Sequence, residues 1–167
     1  MKTEPELRKK IKTWVIVFII GLVLSGVTAF PIETELAWLA NHASVFPGFM
    51  QNWLTNVYLA VKTTNQNYPY LAYGTDWLAF GHLVIAMAFV GPLKDPVKNI
   101  WIIEFGMIAC VMVFPLAFIA GPIRGIPVYW RFIDCCFGIF GIIPLYIVYR
   151  DIKKLEKMSN QNIARLH

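Results

Sequence analysis

Apolar residues fall in long, nearly uninterrupted runs along this chain, and the polar residues collect between them. The first run covers Trp14 to Phe30 and stops at Pro31; the second covers Leu71 to Leu93, with Pro92 and Pro96 closing it. The third covers Ile100 to Ile119 and ends at Gly121-Pro122, and the fourth covers Pro127 to Tyr149. A helix needs about 20 apolar residues to cross a hydrocarbon core of roughly 30 Å. The bilayer interior has no water to satisfy backbone groups, so runs of this length are read as helices. The pattern therefore predicts an all-α, polytopic membrane protein forming one membrane domain over 1–167, with four transmembrane helices at about 14–30, 71–93, 100–119 and 127–149. Pro115 and Pro144 interrupt the third and fourth runs and are expected to kink them, because proline removes a donor and clashes with the preceding turn.

The segment 31–70 has a different pattern. Phe49, Trp53, Val57 and Val61 recur every fourth residue, with Met50, Leu54 and Tyr58 beside them, while Gln51, Asn52, Thr55 and Asn56 form a polar side. This is the period of an amphipathic helix that lies on a membrane surface or caps a bundle rather than crossing. A second short helix is expected over 32–43, with Glu33 and Glu35 solvated near its start, giving one or two short interfacial helices on the outer side. The first run could also be a secretory signal, since Val27-Thr28-Ala29 resembles a cleavage site. A retained helix is the reading preferred, because the rest of the chain is itself membrane-bound.

Composition agrees with the pattern: 57% of residues are hydrophobic and 15% are charged, against about 25% charged in soluble domains. The placement of the 15 Lys and Arg residues carries more information. Four spans put Lys2, Arg8, Lys9, Lys10 and Lys12 on the same side as Lys94 and Lys98 and as Arg150, Lys153, Lys154, Lys157 and Arg165. The opposite side keeps Lys62, Arg124 and Arg131. Short loops rich in Lys and Arg stay inside, so both termini, including the tail 150–167, are expected in the cytoplasm, and the protein in the inner membrane. Trp53, Tyr68, Tyr70, Tyr73, Trp77, Tyr129 and Trp130 then mark the outer interface. The net charge of +5 is accounted for by these flanks and their contact with anionic headgroups, so the expected partner is the lipid bilayer and not nucleic acid. A homodimer or a second membrane protein is a further candidate partner.

Ionisable groups within a membrane are costly and usually face a bundle interior, a cavity or one another. His82, Glu104 and Asp134 are the three here, forming a candidate intramembrane polar centre, and Asp76, Arg124 and Arg131 stand nearer the outer boundary as candidate anion or ion-pair residues. By a rise of about 1.5 Å per residue, His82 and Asp134 reach a similar level near the middle, with Glu104 lower, in the cytoplasmic half. Arg131 and Asp134 are three apart, share a helix face, and are expected to pair. Gly138 and Gly141 continue that face, and Gly21 and Ser25 make a comparable stripe on the first span; small residues of this kind let helices approach closely. The partner expected for Glu104 is His82, directly or through a water.

Cys110, Cys135 and Cys136 all lie in apolar runs, which suits inert core positions rather than a disulfide framework. No zinc spacing, phosphate loop or nucleophile elbow is present in the sequence, so no metal or cofactor is expected. The stretch from Tyr73 to Arg150, with Gly74-Thr-Asp-Trp77, Gly91-Pro-Leu-Lys-Asp-Pro96 and Gly121-Pro-Ile-Arg-Gly-Ile-Pro127, resembles small uncharacterised bacterial four-span membrane proteins. That resemblance implies a fold and no activity. Quaternary-ammonium carriers also have four spans, but their defining glutamate lies in the first, where this chain has no charge. Two functions fit the residues: a binding or accessory helical bundle, or a proton-linked carrier or membrane-embedded enzyme using His82, Glu104 and Asp134. Whether the chain is an enzyme is left open by its sequence.

Overall fold

The computed structural model describes residues 3–164, with side chains described to 161. Lys2 and Arg165 of the basic flanks lie outside the described residues. Every regular element among the described residues is helical: α1 Glu4–Ala29, α2 Ile32–Asn41, α3 Gly48–Asn67, α4 Ala72–Ala88, α5 Val90–Lys94, α6 Ile100–Pro115, α7 Gly121–Ile123 and α8 Val128–Ala164. Four stretches are long and apolar enough to cross a membrane: Glu4–Ala29, Pro69–Lys94, Ile100–Ile123 and Val128–Gln161. The protein is thus an all-α, polytopic membrane protein.

Both outer helices extend past their apolar runs. α1 begins ten residues before Trp14 because its start is well capped. Glu6 accepts a bond from the Thr3 backbone N–H at 2.8 Å, and Glu4 pairs with Arg8 one turn on at 2.9 Å. α8 runs through Pro144 and on to Ala164, so the tail beyond Tyr149 continues as helix. After Pro115 the chain keeps coiling, but Leu116–Ala120 forms a wide π turn, the kind of register change by which a helix accommodates a residue without an N–H. The turn to α8 closes at Gly125, whose φ of 67° is left-handed and suits glycine.

The chain forms two compact units, one of Met1–Ile20 with Met87–His167 and one of Gly21–Ala86. In the first, the most extensive pairing is between α6 and α8. A Cβ on Gly138 would stand 2.5 Å from the Cys110 carbonyl oxygen, one on Gly141 2.8 Å from the Cys110 sulfur, and one on Gly106 2.9 Å from Leu145. Glycine is therefore what permits the helices to come this close. The same unit buries Leu7, Ile11 and Val15, four apart on α1, and Leu145, Val148, Ile152 and Leu155 on α8. Phe89 and Ile103 are fully buried with them, and Phe89 meets Phe18 at 4.7 Å between ring centroids. This core has the i, i+4 periodicity of a water-soluble helix pair and reaches into the basic flanks of the chain.

In the second unit α2 packs on α3. Asn65 of α3 donates to the Glu33 carboxylate at 2.8 Å, so Glu33 is tied to a neighbouring helix rather than simply solvated. The close approach on the latter part of α1 falls at Gly26, where a Cβ would meet the Ala79 carbonyl oxygen at 2.9 Å and His82 Cβ at 3.1 Å. Gly21 and Ser25 are exposed, and Gly21 has open space about it. The small stripe expected from them is corrected by one helical step: residue 26 lies about 100° round from residue 25, and that rotation puts Gly26 on the packed face.

Candidate functional site

The six candidate residues divide between the units: Asp76 and His82 in Gly21–Ala86, and Glu104, Arg124, Arg131 and Asp134 in the other. His82, half-buried on α4, has its Nδ1 at 2.8 Å from the Leu78 carbonyl oxygen one turn earlier. A carbonyl can only accept, so the proton of the neutral ring is on Nδ1 and Nε2 carries the lone pair. The imidazole is thereby partly satisfied by its own helix. Asp76 is half-buried a turn and a half before it on the same helix.

Within the other unit the antiparallel register of α6 and α8 fixes the levels of the two carboxylates. Cys110 lies beside Gly138 and Gly141, and Gly106 beside Leu145. Phe114 also reaches Gly138, which places Asp134 opposite the end of α6. Glu104 lies ten residues earlier on α6, a separation of about 15 Å along the helix. The structure does not bring Glu104 and Asp134 together. On the far part of α8, the Lys153 ammonium donates to the Glu156 carboxylate at 3.2 Å. Glu104 is half-buried on α6, and the histidine expected beside it belongs to the other unit.

The expected Arg131–Asp134 pair is also corrected. Arg131 Nε donates to the Ile126 carbonyl at 2.7 Å, and no ion pair joins it to Asp134 among the described residues. Helical side chains lean toward the N-terminus, so in the first turn of α8 the guanidinium reaches back over the preceding loop, away from Asp134. Its stem covers Gly121, where a Cβ would stand 2.9 Å from Arg131 Cδ. Arg131 is a clasp that closes the turn between α7 and α8. Arg124 is exposed in that turn. Asp134 is half-buried within α8.

The cysteines separate. Cys110 and Cys135 are buried as expected, but Cys136 is exposed, its sulfur facing the Phe132 carbonyl at 3.3 Å. One step along a helix turns the side chain about 100°, enough to move it from the packed face to the outer one. Among the described residues, no three His, Cys, Asp or Glu side chains gather closely enough to hold a metal ion.

Sequence reasoning missed the most buried charge among the described residues. Asp151, 2% exposed, accepts from the Lys10 ammonium at 2.6 Å, with Lys154 at 4.0 Å. It joins the early part of α1 to the extension of α8. A signal for it was present: Leu7 and Ile11 are four apart within the basic N-terminal cluster, and Val148, Ile152 and Leu155 repeat at helical spacing across the end of the fourth run. Each pattern predicts an apolar stripe with a charged residue at its edge. Compared with family models, with curated proteins and with solved structures, the chain matches none.

Proposed function

We propose that this chain is a binding or accessory helical bundle of the inner membrane, with both termini cytoplasmic, working beside a second copy or another membrane protein. The observation that carries this reading is the separation of Glu104 from Asp134 by about 15 Å along the α6–α8 contact, which leaves no shared acid–base centre between them. His82 bonds its own helix, and Arg131 bonds the turn before it. General acid–base or proton-relay chemistry needs its groups within hydrogen-bond reach or one water apart, and these two carboxylates are not so arranged. The orientation rests on the twelve of fifteen basic residues that four spans place on one side.

The test is reconstitution of the full chain into vesicles loaded with a pH-sensitive dye and given an imposed proton gradient or membrane potential. A binding or accessory bundle should dissipate the gradient no faster than protein-free vesicles. A proton flux above that level, abolished by Asp134→Asn or Glu104→Gln in a protein that remains folded, would replace this reading with that of a proton-linked carrier.

A further inference from the structure

The basic end of the first unit carries a shaped cleft, and we infer that it binds the phosphate of an anionic phospholipid. Its lining is Arg8, Lys12, Pro92, Leu93, Lys94 and Pro96. Two separate stretches thus bring three cations to one concavity: the early part of α1, and α5 with the turn after it. The turn is stiffly built. Pro92 and Pro96 are buried, the Asp95 N–H bonds the Gly91 carbonyl at 3.0 Å, and Asn99 Nδ2 donates to the Gly91 and Asp95 carbonyls at 3.2 and 2.8 Å. Lys94 is therefore presented from a fixed support.

Charge and position both favour a phosphodiester at the membrane boundary. Arg8 shares its charge with Glu4, but among the described residues neither Lys12 nor Lys94 has an ion-pair partner within 4.0 Å. Lys12 stands two residues before the first apolar run, and Lys94 directly follows the second. In a bilayer crossed by these two runs both lysines stand at headgroup level, and basic pockets between membrane helices suit such headgroups. Arg8 and Lys12 also share one open face of α1 with Lys9, Thr13 and Ile16. Ile16 and Ile20, four apart and 46% and 52% exposed, extend that face into the apolar run. The path passes from cations through a hydroxyl-bearing residue to hydrocarbon, which is the order of groups in a phospholipid. A free phosphate would use only its first part. Cation attraction to an anionic lipid surface is worth about 1 kcal/mol per residue, so two lysines acting together correspond to roughly 30-fold in affinity. This site is independent of which face of the membrane is cytoplasmic and of the binding role proposed above.

The experiment uses the full chain in a mild uncharged detergent. Retention of phosphatidylglycerol and of phosphatidylcholine is measured by native mass spectrometry across a lipid titration, with inorganic phosphate as a competitor. Phosphatidylglycerol should be retained at least tenfold more tightly than phosphatidylcholine, and Lys12→Gln with Lys94→Gln should remove most of that preference. Lys12→Arg with Lys94→Arg should keep it, and Arg150→Gln with Lys157→Gln, an equal loss of charge outside the cleft, should change it less than twofold. An unchanged circular dichroism spectrum and elution volume qualify each variant for comparison. Equal retention of the two lipids would overturn the inference, as would an equal loss in the control pair. Complete displacement by millimolar inorganic phosphate would assign the cleft to free phosphate instead of lipid.

Discussion

The Lys10–Asp151 pair allows a test in which the two halves of one bond have unequal worth. Asp151 is 2% exposed, whereas Lys10 is 27% exposed. Breaking a buried pair by removing one partner costs about 3–5 kcal/mol, because the charge left behind has lost its water. Lys10→Met leaves the Asp151 carboxylate buried with Lys154, at 4.0 Å, its one remaining ion-pair partner among the described residues, so the upper part of that range applies. Asp151→Asn leaves an ammonium on a flexible, partly exposed stem that can turn toward water, and its cost is discounted to about 1–2 kcal/mol. Lys10→Met with Asp151→Leu removes both charges beside the buried Ile11 and Ile152 and should recover most of the loss. Unfolding in mixed micelles, followed by tryptophan fluorescence and circular dichroism, gives the free energies. The expected order of stability is wild type close to the double variant, then Asp151→Asn, then Lys10→Met. Equal costs for the two single changes, or a double variant no more stable than Lys10→Met, would refute the argument that burial of the carboxylate controls the pair.

Gly138→Ala should lower stability by about 1–3 kcal/mol, since the new methyl meets the Cys110 backbone oxygen at 2.5 Å and the helices must separate. Gly81→Ala, with open space at its Cβ, should change stability by less than about 1 kcal/mol in either direction. Thermal melts of both in one detergent check the pair, and equal losses would mean that the α6–α8 approach is not limited by Gly138. A reporter enzyme active only in the periplasm, fused after residue 167, should be silent, and one fused within the Gly121–Pro127 turn should be active. The reverse pattern would invert the topology read from the basic flanks.

The sequence by itself determined the fold class. A bilayer sets a length requirement that is local, about 20 apolar residues, and each of four runs meets it without reference to any other. The amphipathic period of 49–61 was equally readable, and it falls within the helix Gly48–Asn67. Rotation of each helix about its axis was decided only by the tertiary structure. A membrane span is apolar all round, because lipid tails are as apolar as a core, and the pattern that orients a soluble helix is largely erased there. Gly26 rather than Gly21, and Cys135 rather than Cys136, face the packing for reasons that lie in partners distant along the chain. Spacing also placed Arg131 and Asp134 on one face, but the lean of helical side chains sent the guanidinium to the Ile126 carbonyl instead. Lys10 and Asp151 are 141 residues apart, and no local rule joins them. Their bond exists because α1 and α8 both extend past their apolar runs and bury apolar stripes, Leu7 and Ile11 on the one and Ile152 and Leu155 on the other, within the same unit.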